Sequence, residues 1–99
     1  MATTLRRGAI GGRRDALDAL AAEGAGSPRP WSNGPGDAYG WHAHPYHKVL
    51  FCLEGSITFH TRDGDVALRA GDRLDIEPGT EHAASVGPDG VACVEAGRP

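Results

Sequence analysis

The amino-acid sequence predicts an all-β sandwich or barrel with one short N-terminal helix, and three observations carry this. From Gly40 to about Ala96, apolar and β-branched runs alternate with turn signals every 8–12 residues or so, the spacing of antiparallel strands rather than of strand–helix–strand units. Glycine and proline are abundant, 15 and 7 of 99 residues, as a chain with many tight corners requires. Within the strand-like runs, apolar positions repeat with a period of two.

The elements follow in chain order. Residues 1–12 carry Arg6 and Arg7 among glycines without periodicity and predict a frayed or loosely docked terminus. Asp15 to Glu23 (DALDALAAE) is built of strong helix formers, with Leu17 and Leu20 on one face and Gly24 as the stop. Arg13 and Arg14 oppose the helix dipole, so its start is soft. Gly24 to Gly40 is too rich in glycine and proline for helix or central strand; it reads as a lead-in whose Trp31, Tyr39 and Trp41 pack against the barrel.

His47 to Leu53 is a nearly continuous apolar run, as in a strand covered on both faces, and Glu54-Gly55 turns it into SITFHT, where Ile57 and Phe59 alternate with polar residues. Asp63-Gly64 is a hairpin signal, because both positions tolerate positive φ, and Val66 and Leu68 alternate in the returning strand. Gly71-Asp72 turns again, with Asp72 bracing the turn, before Leu74 and Ile76 alternate in RLDIE. Pro78-Gly79 precedes HAASV, and Pro88-Asp89-Gly90 precedes VACVEA. The expected organisation is a tail, helix and lead-in over residues 1–37 and one β-barrel domain over 38–99.

One domain of 99 residues buries a modest share of its surface, so a metal, an oligomer interface or disulfides are expected to help. A net charge of −3 gives no basic field for phosphates, which argues against nucleic acid. The sequence has neither a membrane-length apolar run nor the apolar core of a secretion signal at its start, so no membrane partner and a cytoplasmic location are expected. Cys52 and Cys93 sit in apolar runs, where reduced thiols pack as small hydrophobes, and their spacing matches no paired-cysteine zinc pattern.

The chemical signal is the histidines. Three of the five fall together, at His42, His44 and His47, just before the first strong strand. His42 and His44 are one residue apart, so in an extended segment both face the same way and can meet one ion. Neutral imidazole is a common ligand for transition metals, and a reactive site wants about three protein ligands and an open position. His82, at a Gly/Pro corner before a later strand, is the candidate third donor.

These residues resemble the cupin superfamily. Its first motif, His-x-His followed by a glutamate and a closing glycine, reads here HAHPYHKVLFCLEG, with Gly55 in the closing position. Its second, a Gly-Asp turn, a Pro/Gly corner and a final histidine, reads GDRLDIEPGTEH, with the proline displaced by one. The resemblance implies a double-stranded β-helix, or jelly-roll, barrel with His42, His44 and His82 as metal ligands. At the position of the family's glutamate stands Lys48, and an ammonium would repel a divalent cation.

Three arrangements follow. A three-histidine centre would hold Zn, Fe, Ni or Mn, with Lys48 withdrawn, holding an anionic substrate, or acting as proton donor or acceptor. In the second, His47 replaces the glutamate; strand parity opposes this unless Pro45-Tyr46 forms a bulge. In the third, no metal binds and the barrel is a ligand-binding or sensor module without catalysis. The first implies a dioxygenase- or isomerase-type enzyme on a small polar molecule. A homodimer is expected to cover the edge strands. The plainer expectations are that Lys48 points outward to Asp75 or Glu77, that His60 lies on the surface or rim, that Glu81 and Glu95 face solvent, and that Trp41 and Tyr46 flank the site as packing or as walls.

Overall fold

The computed structural model describes residues 2–99. Its strands are β1 (Thr3–Arg6), β2 (Arg29–Asn33), β3 (Ala38–His42), β4 (His47–Thr61), β5 (Gly64–Arg69), β6 (Arg73–Ile76) and β7 (His82–Arg98), and its helix is α1 (Arg13–Ala22). Two long antiparallel strands, β4 and β7, form the spine. Residues His47 to Gly55 of β4 pair with Val91 to Arg98 of β7, and Ile57 to Thr61 pair with His82 to Val86. The register slips between these two stretches, so the paired strands divide into two half-sheets. One is ordered β1-β6-β4-β7-β2; the other adds β5 on β4 and β3 on β7.

The two half-sheets face each other across one apolar core. Leu50, Cys52, Leu74, Ile76 and Cys93 come from the first, and Ile57, Phe59, Leu68, Ala84 and Val86 from the second. Alternate residues point the other way, and on the first half-sheet they meet the helix. Ala16 and Leu20, four apart and fully buried, pack on Val49, Phe51, Val94 and Ala96. Leu17 is only partly buried, so the packing stripe runs through Ala16 rather than Leu17. Burying Leu20 in this way is worth about 1.5–3 kcal/mol. Gly24, at φ 70°, takes the left-handed conformation that ends the helix.

Several expectations are corrected. The terminus is not frayed: Thr3↔Ile76 through Arg6↔Arg73 make β1 an edge strand on β6, and Leu5 packs against the core. The lead-in, though neither helix nor central strand, holds edge strand β2 and the first residues of edge strand β3, both paired with β7. Pro30 is tolerated because β2 is an edge strand. Glu54-Gly55 does not separate two strands but bends β4 within its length. Gly55 has φ 72°, and a Cβ there would overlap the Gly90 carbonyl oxygen, so this crossing of the spines requires glycine. Pro88-Asp89-Gly90 likewise lies inside β7, at its change of half-sheet.

Cys52 and Cys93 are free, buried and directly opposite each other on β4 and β7. The Cys52 thiol, then burial, pushes the Cys93 thiol up. Among the described residues, no helix is long and apolar enough to cross a membrane.

Candidate metal centre

His42 ends β3, His44 follows it in the link to β4, and His82 opens β7. The β3–β7 register sets His42 directly against His82. One nitrogen from each of the three rings lies within 4.8 Å of the others. Ring centroids are 4.3 Å apart for His42 and His82, 4.9 Å for His42 and His44, and 5.3 Å for His44 and His82. The equal facing expected of His42 and His44 is what brings them together.

Backbone carbonyls fix two of the tautomers. Nδ1–H of His82 donates to the Thr80 carbonyl at 2.9 Å, and Nδ1–H of His42 to the Gly40 carbonyl at 2.7 Å. A carbonyl oxygen only accepts, so the proton stays on Nδ1 and Nε2 keeps its lone pair in the neutral ring. Nε2 of His82 and Nε2 of His44 are buried with no hydrogen-bond partner. Leaving a buried polar atom unpaired costs about 1–3 kcal/mol. Burial, and for His44 next the Lys48 ammonium, lowers both imidazoles from 6.5. For His82 the Thr80 carbonyl works against burial, while the His42 and Lys48 charges reinforce it. Both rings are therefore held in the neutral form that a metal needs.

The structure separates the remaining candidates. His47 faces the other side of β4, as strand parity requires, with Nε2 at 2.8 Å from Asp75 Oδ2, and it does not join the cluster. Lys48 faces inward and lines a cavity of about 440 Å³ beside all three histidines. Its partner is neither Asp75 nor Glu77: Nζ lies 3.2 Å from Glu95 Oε1. Glu95, expected in solvent, is 4 % exposed. Nε1–H of Trp31 donates to Oε1 at 2.7 Å and Nη2 of Arg29 to Oε2 at 3.3 Å. The signal for Glu95 was present in VACVEA, where Val91, Cys93 and Glu95 share one parity and Val94 and Ala96 the other.

Tyr46 stacks near His44, centroids 5.1 Å apart, and lies over Gly97, where a Cβ would come 3.1 Å from its ring. Trp41 does not line the cavity; the Arg62 guanidinium covers it at 3.8 Å. Trp31 and Tyr39, packed edge to face at 6.0 Å, wall the cavity instead, above Ile57, Phe59 and Ala84. Glu81 is exposed as expected and pairs with Arg62 at 3.4 Å. His60 lies outside the cavity on the half-sheet surface, bonded to Asp65 Oδ1 and Ser85 Oγ, each at 2.8 Å. Asp72 accepts from the Arg69 and Gly8 backbone N–H groups and from Arg7, so it braces its turn and also ties down the chain after β1.

Solved structures share the fold. A double-stranded β-helix protein from Klebsiella pneumoniae is similar at 27% identity and TM-score 0.65 over 73% of this chain and 65% of that one, so the chain spans just under two thirds of that relative. A DUF861 family protein from Thermotoga maritima has a TM-score of 0.67 at 16% identity over 95% of this chain and 97% of its own. A predicted oxalate decarboxylase from the same organism has a TM-score of 0.66 at 23% identity over 82% of this chain and 71% of its own. At 16% and 23%, those two likenesses bear on the fold alone. No curated protein matches the chain. The family model described as the cupin domain matches residues 31–94, a span holding both histidine-bearing segments, and the chain belongs to the cupin family.

Proposed function

We propose that His42, His44 and His82 hold one divalent transition metal, Zn, Fe, Ni or Mn, through Nε2, and that metal and cavity together act on a small polar molecule in a dioxygenase- or isomerase-type reaction. The observation that carries this is the pair of buried, unpartnered Nε2 atoms of His44 and His82, in a cluster whose donor atoms lie within 4.8 Å of one another. Three imidazoles leave coordination positions open, and the metal would supply Lewis-acid polarisation of a bound oxygen.

The objection raised by Lys48 weakens in this setting, because Glu95 at 3.2 Å offsets its charge. Lys48 presents an ammonium proton beside the histidines, Tyr46 braces the His44 ring, and Phe59, 6.2 Å from the His82 ring centroid, keeps that side of the site apolar. The second reading, a metal-free ligand-binding module, draws support from the same ammonium facing the cluster. We further propose a homodimer, since all five residues of β3 are exposed along a sheet edge, and, separately, a cytoplasmic location.

The test is metal content by elemental mass spectrometry on untagged protein after incubation with Zn, Ni, Mn or anaerobic Fe(II). About one metal per chain is expected in the wild type and little in His82→Ala. His42→Ala repeats the comparison at an exposed position where folding is less at risk. A folded wild type that takes up none of the four metals would leave only the ligand-binding reading.

A further inference from the structure

Lys48 and Glu95 form an ion pair that a purely structural role does not explain. Both side chains are nearly buried, at 11% and 6% exposure, yet they face a cavity rather than packed core. Glu95 is well supplied, receiving Trp31, Arg29 and Lys48. Lys48 is not: its ammonium carries three N–H donors, and Glu95 is its one ionic partner among the described residues. Donors on Nζ are left for whatever fills the cavity.

Charge points the same way. Two cations, Lys48 and Arg29, and one carboxylate, Glu95, line the cavity, so with neutral imidazoles it carries an excess of positive charge before any metal is added. Apart from the three histidines, the uncharged lining is largely apolar, with Ile57, Phe59, Ala84, Trp31 and Tyr39. The volume, about 440 Å³, lies within the range for small organic ligands.

We infer that Lys48, assisted by Arg29, is the binding site for the carboxylate of a small organic acid whose apolar body lies against Ile57, Phe59 and Trp31. This deepens the proposed function by naming a ligand class, and it rests on the cavity rather than on the metal. Glu95 holds Lys48 in place while the cavity is empty of acid, and the incoming carboxylate takes the ammonium's free N–H groups as charge-assisted hydrogen bonds. A neutral ligand of the same shape would gain the apolar contact and lose the charge.

The probes are phenylacetate and its neutral analogue phenylacetamide, titrated into nitrogen-15-labelled protein, with the Trp31 indole N–H signal as reporter because that group donates to Glu95. Wild type is expected to bind phenylacetate saturably, more weakly as salt rises, and about tenfold or more tighter than the amide. Lys48→Met should erase the preference. Glu95→Gln, which removes the competing carboxylate, should tighten phenylacetate. Arg29→Gln, at a side chain 73% exposed, should give a smaller loss and stands in if Lys48→Met fails to fold. Equal binding of acid and amide, a preference that survives both lysine and arginine variants, or no saturable binding would each overturn the inference.

Running the titration on chelated and on metal-loaded protein separates the two readings. Acid preference without metal supports the Lys48 site even if the metal centre fails. A metal-loaded protein with no acid preference overturns the Lys48 site and leaves the metal centre standing.

Discussion

His47 and Lys48 are neighbours in the chain, yet they enter two unlike charge clusters on opposite faces of β4. On the outer face His47 meets Asp75 at 2.8 Å. Arg73 Nε donates to Asp75 Oδ1 at 2.6 Å, and Arg73 also reaches both Glu23 oxygens, at 2.5 and 2.7 Å, at the end of α1. Arg98 joins Glu23 at 3.5 Å. On the inner face stand Lys48, Glu95 and the three histidines, with two ring nitrogens unpartnered and donors of Lys48 unspent. The outer cluster is paired apart from the unpartnered Nε of Arg98, and it clamps the helix to the sheet. The inner one faces a cavity with valence to spare, and that open surplus separates a site from a brace.

The largest expected effect breaks the closed cluster. Arg73→Met leaves Asp75 and Glu23 without their main donor in a setting where Arg73 is 2% exposed. It should cost about 3 kcal/mol of unfolding free energy, read by urea denaturation. Metal uptake by the fraction that stays folded should be unchanged. A loss of metal equal to that of His82→Ala would show that the two faces are not independent.

How far this division was legible beforehand depended on parity. The period of two placed His47 and Lys48 on opposite faces, and it set His42 and His44 toward a common point. Applied to VACVEA it would also have turned Glu95 inward with Val91 and Cys93. What parity could not supply was partner choice: Asp75 lies opposite Val49, and Glu95 opposite Leu50, only through the β4–β6 and β4–β7 registers. β1, β2 and β3 were hidden for another reason. Arg6, Arg29, Gly40 and Pro30 suit edge strands, where pairing on one side suffices and no apolar alternation is demanded.

Reversing charge in the open cluster comes next. Lys48→Glu should tighten metal binding about tenfold or more, by replacing a nearby cation with an anion and a possible oxygen ligand. It should also lower stability, since Glu95 would lose its ammonium and face a second carboxylate. Competition with a chelator of known affinity reads the first effect, and denaturation of the metal-free protein the second. Unchanged metal affinity would mean that position 48 does not sense the ion.

The two clusters should also fail at different pH. Burial lowers His44 and His82 from 6.5. The unfolded chain then binds more protons than the folded one below that value, so metal-free protein loses stability as pH falls from about 6.5. Hydrogen bonding from Arg73 holds Glu23 below 4.5. Against burial, which pushes upward, Arg73 and His47 hold Asp75 below 3.8. Their stabilisation is fully present above about 4.5 and disappears as pH falls through the lowered values. Denaturation of metal-free wild type across this range should show two declines. Arg73→Met should shrink the lower one and keep the upper, and a single decline in wild type would break the distinction.

The smallest effect is expected where charge is neither closed nor open but solvated. Arg62 lies 3.8 Å above the Trp41 ring and 3.4 Å from Glu81, with both ionic side chains about 60% exposed. Water screens such a pair, so Arg62→Ala should cost no more than about 1 kcal/mol, mostly from the lost cation–π contact. Yet Trp41 immediately precedes His42 on β3, an edge strand with every residue exposed. If Arg62 does no more than cover an aromatic ring, metal affinity should be unchanged in the variant. If affinity falls while stability holds, the Arg62–Trp41 contact orders the strand that delivers His42, and the open cluster reaches further into the rim than its buried members show.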